Sequence, residues 1–331
     1  MEIGKLSNDQ LSELIFSKIN HRDKRVLVGS GIGEDCSIID FDKNLCVISS
    51  DPITATSNNI GKLGVYVSCN DIASKGVRPF AIMVTVLAPP SIEVDEIKTV
   101  MDDIIKVCNE LKIELVGGHT EVTDAVNRMV LSITAIGSGS KENLIDEQKI
   151  ENGDLLLMTK YAGCEGTSIL YSDFRYKFED TLTEQDKKEL NFLGSSLSVI
   201  EEGLIAAEIG AKYMHDATEG GILGAAWEMA EKSKIGVEIN IEDIPILSVT
   251  RKITDLLSLD PLKLISSGVM LIVVAKNKKN HMIKTLESNG INTQVIGTFK
   301  EGNSRVLYKN GTVEKLLPPE TDEIYRAYKI K

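Results

Sequence analysis

The chain has 331 residues, a formal net charge of −12, 42% hydrophobic and 26% charged residues. That length is large for one hydrophobic core and points to two domains of ordinary globular composition. The acidic balance, with no basic stripe to offset it, excludes general nucleic-acid binding, and no apolar run reaches the roughly 18 residues of a membrane span. The opening Met1-Glu2-Ile3-Gly4-Lys5 has no apolar h-region. Five cysteines (Cys36, Cys46, Cys69, Cys108, Cys164) are odd in number and form no Cys-x-x-Cys pair, which reads as a reduced cytoplasmic protein rather than a disulfide framework or zinc site.

Along the chain, apolar runs rich in β-branched residues alternate with longer helical patterns, the mark of an α/β protein. Gly29-Ser30-Gly31-Ile32-Gly33-Glu34-Asp35 is glycine-rich but lacks the Gly-x-x-x-x-Gly-Lys pattern of a phosphate-binding loop, so alone it reads as a flexible loop. Leu45–Ile48 is a strand, terminated by Asp51 ahead of Pro52. Asn70-Asp71 reads as a cap or turn, and Phe80–Leu87 is the next strand. Pro89-Pro90-Ser91 then supplies a stop and an N-cap. Glu93, Asp95 and Glu96 favour the first turn of a helix whose apolar face is Ile97, Val100, Met101, Ile104, Ile105, Cys108 and Leu111. Leu115-Val116 leads into Gly117-Gly118-His119-Thr120-Glu121, where the glycines suit either a tight turn or a close approach to a ligand. A strand at Met129–Ile136 completes a first domain of residues 1–150, closed by the polar stretch that ends in the turn Asn152-Gly153-Asp154.

The second domain, residues 151–331, restarts with a strand at Leu155–Thr159. Gly163-Cys164-Glu165-Gly166-Thr167 follows, with glycine amides suited to a phosphate. A polar surface excursion runs from Asp173 to Lys188, then a helix through Phe192–Ile209. His215-Asp216-Ala217-Thr218-Glu219-Gly220-Gly221 opens an apolar helix reaching Lys232. Thr218 is a plain N-cap on one reading; on the other, Asp216 stands at the helix N-terminus as general base or metal ligand. Ser266-Ser267-Gly268 precedes a strand at Val269–Ala275, followed by a helix at Lys278–Ser288, a strand at Gln294–Phe299, and a tail from Leu317-Pro318-Pro319 lying over the body.

Three polar motifs in the first half centre on acids: Gly33-Glu34-Asp35, Ser49-Ser50-Asp51 and Asn70-Asp71. Each alone is better explained by a turn. Carboxylates brought together raise one another's pKa, so a fold that gathers them has use for a cation, and hard oxygen ligands suit Mg²⁺ carrying phosphates. Their joint occurrence points to a nucleotide enzyme.

With Ile60-Gly61-Lys62-Leu63-Gly64, Asn70–Pro79, Gly117–Glu121, Gly166-Thr167, Asp216–Gly221 and Ser266-Ser267-Gly268, these motifs resemble the aminoimidazole ribonucleotide synthetase superfamily in order and spacing over almost the whole chain. Its members include selenophosphate synthetase, thiamine-monophosphate kinase and the hydrogenase maturation factor HypE. The Ile-Gly-Lys-Leu and Asp-Ala-Thr-Glu-Gly-Gly segments look most like HypE. The resemblance implies two α/β domains, a homodimer whose N-terminal mixed sheets form a barrel, and a C-terminal α/β sandwich. It also implies ATP and Mg²⁺ as cofactors. Carried over by position, the metal ligands are Asp35, Asp51 and Asp71, with Glu34 weaker and Glu121 supplying charge where His119 replaces the usual acid. Cofactor contacts fall to Gly33, Asn70, Gly117, Gly118, His119, Thr120, Gly166 and Thr167, and catalytic roles to Lys62 and Asp216.

HypE proteins end in a cysteine that carries a carbamoyl group, whereas this sequence has no cysteine after Cys164. The sequence also lacks the N-terminal cysteine or selenocysteine of selenophosphate synthetases. The resemblance therefore implies an ATP-dependent enzyme activating an amide or carboxyl oxygen of a small, unidentified substrate, HypE-like and related to hydrogenase maturation. The alternatives are a small-molecule kinase or a non-catalytic nucleotide-binding partner of a maturation protein.

Overall fold

The computed structural model describes residues 7–19, 23–54, 59–141, 145, 150–178 and 181–329. A short helix α1 (Asn8–Leu14) precedes strands β1 (Val26–Val28), β2 (Ser37–Phe41) and β3 (Asn44–Ile53). Helix α2 (Ile60–Ser74), strand β4 (Pro79–Ala88), helix α3 (Val94–Leu111) and strands β5 (Glu114–Val122) and β6 (Val130–Gly139) follow. These strands form one six-stranded mixed sheet, ordered β1-β2-β3-β6-β4-β5, parallel only between β4 and β5. Helix α3 makes that parallel crossover, which two strands running the same way require.

The first-half strands are longer than periodicity suggests. The expected strand end at Asp51 is corrected: β3 runs through Asp51 and Pro52 to Ile53. Beyond Ile48 it pairs only with β6, so the missing amide of Pro52 falls on an unpaired edge, where proline is tolerated. Asn70-Asp71 is neither cap nor turn but lies buried near the end of α2. The cap of α3 is Glu93, in a reciprocal capping box with Glu96, not Ser91. Ile105, placed on its apolar face, is 45% exposed, and Val107 is buried instead. Gly117–Glu121 forms no turn; it continues the edge strand β5.

The second sheet is built from β7 (Leu155–Thr159), β8 (Tyr213–Ala217), β9 (Gly236–Asn240), β10 (Val269–Val274), β11 (Thr293–Lys300), β12 (Arg305–Lys309) and β13 (Thr312–Lys315). Its order is β13-β12-β9-β11-β7-β10-β8, parallel only between β12 and β9. The helices of this half are α4 (Cys164–Asp173), α5 (Glu184–Ser195), α6 (Ile200–Ile209), α7 (Gly221–Ser233), α8 (Ser248–Leu256), α9 (Lys279–Ser288) and α10 (Glu323–Lys329). Every residue of β8 and β10 is buried, which explains the unbroken apolar run of β10 and leaves the His215-Asp216 pair of β8 shut away from solvent.

The single helix expected over Phe192–Ile209 is two, and α5 begins inside what reads as a surface excursion. The break at 196–199 is held by side chains from elsewhere. Lys160 Nζ donates to the carbonyls of Ser196 (3.1 Å) and Ser198 (2.6 Å), while the Asn70 amide donates to Leu197 O and accepts from Val199 N, each at 2.8 Å. With those backbone groups satisfied, the chain loses nothing by leaving the helix. The C-terminal tail contains α10, and it is anchored by Asp322, whose carboxylate accepts from the amides of Gly220, Ile265 and Ile324.

Asp186 starts α5 and ties it to α8. Its carboxylate accepts from Thr183 N (2.8 Å), Thr183 Oγ1 (2.7 Å) and Lys252 Nζ (2.6 Å). Burial alone would raise its pKa, but Lys252 and Thr183 outweigh it and hold the group down to about 2, from an ordinary 3.8. A depressed carboxylate contributes stability that is complete above the unfolded pKa and is lost as pH falls through the folded one. Asp186→Ala is therefore expected to cost about 2 kcal/mol at pH 7 by urea denaturation. The gap between wild type and variant should close between pH 4 and pH 2.

Candidate acidic active site between the two sheets

Carboxylates from four elements meet where α2 and the β2–β3 strands face β8. Asp35 lies in the loop before β2, Asp51 on β3, Asp71 on α2 and Asp216 on β8. Asp216 was expected at a helix N-terminus, but it sits inside the strand, four residues before Gly220, which caps α7. Asp35 and Asp51, with Gly33, Glu34, His215 and Glu228, line a cavity of about 630 Å³. Asp71 and Asp216 are buried, 7% and 1% exposed.

Local periodicity explains how the set assembles. Ser49 and Asp51 share one face of β3, as residues two apart must, and Ser49 Oγ reaches Asp51 Oδ2 at 3.0 Å and also Asp71 Oδ2. Ser74 and Lys75 follow Asp71 by three and four helix positions and so return to its side. Ser74 Oγ lies 2.8 Å from Asp35 Oδ2 and 2.7 Å from Asp71 O. His215 Nδ1 lies 2.6 Å from Asp35 Oδ1, and its Nε2 lies 3.2 Å from Glu228 Oε2.

This crowding shifts the acids unequally. Burial, then the charges of Asp216 and Asp51, push Asp71 well above the usual carboxylate range. Burial and the Asp35 charge push Asp216 up to about 7. Burial also works to raise Asp35, but His215 and Lys75 outweigh it and leave the group lowered. His215 is raised to about 10: burial opposes its charge, and Asp35 and Glu228 more than offset that.

Among the described residues, none donates a hydrogen bond to either oxygen of Asp216. A buried carboxylate left in that state requires a proton or a cation, and the surrounding oxygen donors suit a hard divalent ion such as Mg²⁺.

Several expected site residues stand elsewhere or are already engaged. Both oxygens of Glu34 are in ion pairs, one with Lys75 (3.3 Å) and one with Lys232. The Gly33 carbonyl accepts from Tyr213 OH at 2.7 Å. Asn70, expected as a cofactor contact, spends its amide on the 197–199 break. Gly166 N donates to Ile265 O at 3.0 Å and Thr167 Oγ1 meets Thr250 Oγ1 at 3.0 Å, so both pack α4. Lys62 lies 3.9 Å from Asp103 and lines a separate cleft of about 110 Å³ with Glu165 and Ser168.

Gly117, Gly118, His119, Thr120 and Glu121 lie on β5, separated from β3 by β6 and β4, or roughly 14 Å across the sheet. Within one chain Glu121 is therefore apart from Asp51, and it pairs with His119 at 3.1 Å instead. Sequence reasoning quoted His215, Ser74, Lys75 and Lys232 without giving them a role in the site and passed over Glu228. The available signals were a His-Asp pair inside an otherwise apolar strand, and Glu228 and Lys232 one turn apart on α7.

The same architecture occurs in known proteins. The family model for the AIR synthase related protein N-terminal domain matches residues 33–138, and that for the C-terminal domain matches residues 151–309. A provisionally named hydrogenase expression/formation protein of Methanocaldococcus jannaschii is 28% identical over 315 residues, covering 92% of this chain and 90% of the relative. The carbamoyl dehydratase HypE of Escherichia coli is 26% identical over 255 residues, covering 76% and 73%. A selenide, water dikinase of Methanococcus maripaludis is 26% identical over 332 residues, covering 94% and 97%.

Among solved structures, the HypE–HypF complex contains a chain with a TM-score of 0.78 at 18% identity, covering 94% of this chain and 99% of that one. HypE in complex with ATP gives a TM-score of 0.73 at 19% identity, covering 97% of each. At those identities the structures speak for the fold. With both domain models matched in order across most of the sequence, the chain belongs to the AIR synthase related protein family.

Proposed function

We propose that this protein is an ATP- and Mg²⁺-dependent enzyme that phosphorylates an amide or carboxyl oxygen of a small substrate, so that the oxygen leaves as phosphate in a dehydration or ring closure. The observation that carries this reading is the convergence of Asp35, Asp51, Asp71 and Asp216 on one site, where no other described residue donates to either Asp216 oxygen. Asp51 and Asp71, with Asp35, would hold the metal, which when bound neutralises charge on the transferring phosphoryl group. Ser49 fixes Asp51 and Asp71 against each other, and Ser74 fixes Asp35. Asp216 stands beside the reacting group as proton acceptor or metal ligand, and Lys62 orients the substrate from the neighbouring cleft. The boundary near residue 150 separates an ATP-binding, dimerising half from a half that carries Asp216.

Relatives named carbamoyl dehydratase and selenide, water dikinase support ATP-dependent activation, and the ATP-bound HypE structure supports the nucleotide. The HypE–HypF complex supports a place in hydrogenase maturation with a protein partner. A second copy of the chain would complete the ATP site by joining at β5. That strand is an unpaired edge and bears Val116 and Val122, each 59% exposed.

Incubation with Mg²⁺, ATP and a panel of carboxamides and carboxylates is expected to release ADP and free phosphate with one member. A stable phosphorylated product would establish a kinase instead. Nucleotide binding with no turnover on any panel member would favour the non-catalytic partner.

A further inference from the structure

Glu165 is a buried acid that the acidic site between the sheets does not use. It stands in the first turn of α4, 3% exposed, and its Oε2 has no hydrogen-bond partner among the described residues. Ser267 Oγ is also without a hydrogen bond there, so the two side chains do not satisfy each other. Burial pushes the Glu165 pKa up to about 7, with Ser267 working against that rise and the charges of Asp322 and Glu219 adding to it. Buried polar atoms are rarely left without a partner, and a carboxyl in this condition is readily ionised by a cation brought beside it.

The place of Glu165 indicates what that cation belongs to. Glu165 and Lys62 line one cleft of about 110 Å³, the first from α4 of the second half, the other from α2 of the first half. Leu63, Ile169 and Leu197 supply apolar wall. The Lys62 side chain is 37% exposed, and its ion pair with Asp103 is long, at 3.9 Å. Glu165 and Lys62 form no ion pair with each other among the described residues. A cavity of about 150 Å³ accepts benzene, so this cleft has room for a group of about five non-hydrogen atoms. A ligand with one charge would match either the acid or the base and leave the other unmet. A zwitterion meets both.

We propose that this cleft recognises a small amino acid, with its ammonium on the Glu165 carboxylate and its carboxylate on Lys62. The inference rests on the enzymatic reading, which gives the cleft to the substrate, and it narrows that substrate to one bearing an amino group beside its carboxyl. Glu165 is the residue that sets specificity, because it tells an amino acid from the same acid without its amine. The methylene groups between the two charges lie against Leu63, Ile169 and Leu197.

The test is calorimetric titration of the full chain with glycine, β-alanine and γ-aminobutyrate, each paired with its amine-free counterpart: acetate, propionate or butyrate. Titrations are run with and without Mg²⁺ and a non-hydrolysable ATP analogue. One of the amino acids is expected to bind about 10- to 100-fold more tightly than its counterpart. Glu165→Gln, close in shape and uncharged, should fold and erase that preference, whereas Lys62→Met should weaken binding of both members of the pair. The wild-type comparison stands whether or not a variant folds. Failure of every amino acid to bind under either condition, equal binding of an amino acid and its counterpart, a preference that survives in folded Glu165→Gln, or unchanged affinity in folded Lys62→Met overturns the proposal. ATP turnover with a substrate that lacks an amino group would remove this inference alone. Amino-acid binding without turnover would remove only the enzymatic reading.

Discussion

Asparagine in place of Asp71 is expected to abolish Mg²⁺-dependent ATP turnover while making the fold more stable. The carboxyl is buried, bound to Ser49, and faces the charges of Asp216, Asp51 and Asp35, so an ionised Asp71 is held in an unfavourable place. Asparagine keeps the shape and an acceptor oxygen but removes the charge. Losing one metal-binding carboxylate should remove several kcal/mol of transition-state stabilisation, or about 10³-fold in rate. Relief of like-charge crowding should return about 1–2 kcal/mol to the metal-free fold, raising its melting temperature by about 2–4 °C per kcal/mol. Added Mg²⁺ should raise the melting temperature of wild type and leave the variant unmoved. Undiminished turnover would refute the metal assignment; earlier melting would refute the crowding argument.

The paired glycines of β5 are expected to respond in opposite ways to alanine. A Cβ on Gly118, whose φ is +149°, would come 1.8 Å from the Val84 carbonyl oxygen on β4. Backbone cannot yield there without parting the two strands, so Gly118→Ala should cost about 3 kcal/mol in urea denaturation. At Gly117 the nearest atom to a Cβ is Met83 Cε, at 3.9 Å, and Gly117→Ala should stay within about 0.5 kcal/mol of wild type. If phosphates approach Gly117 as proposed, that variant should bind the non-hydrolysable analogue of ATP at least tenfold more weakly, by calorimetry. Equal stability losses at both positions would contradict the close approach of β4 to Gly118.

Much of the architecture was legible because the physics that produces it is local. Leu45–Ile48 and Val269–Ala275 announce strands through β-branched runs, and Ile97–Leu111 announces a helix through its spacing. The motifs around Asp35, Asp51 and Asp71 stood out because each interrupts an apolar segment, but only the resemblance to the superfamily named the three acids as one set. What could not be read depends on contacts distant in sequence. The break between α5 and α6 is written in Lys160 and Asn70, not in residues 196–199. Pro52 ends a strand by local rule, yet sits on an edge that only the pairing of β3 with β6 reveals. Glu34 looks like Asp35 in sequence, but Lys75 at the C-cap of α2 and Lys232 on α7 neutralise it. His215 acquires its character only when β8 is set against the loop carrying Asp35.

Asn70 and Asp71 are consecutive on α2, and side chains one residue apart project about 100° from each other around a helix axis. One clasps the backbone of the opposite half at Leu197 and Val199; the other stands among the acids. Because both side chains stand on one helix, a shift of that helix would move the seam and the acid together. If Asp71 holds a cation as proposed, drawing it inward would tighten the grip of Asn70, and whatever loosens that grip would weaken the hold on the cation by the same free energy. Cation affinity should therefore register substitutions at Leu197 or Lys160, residues that never touch the ion.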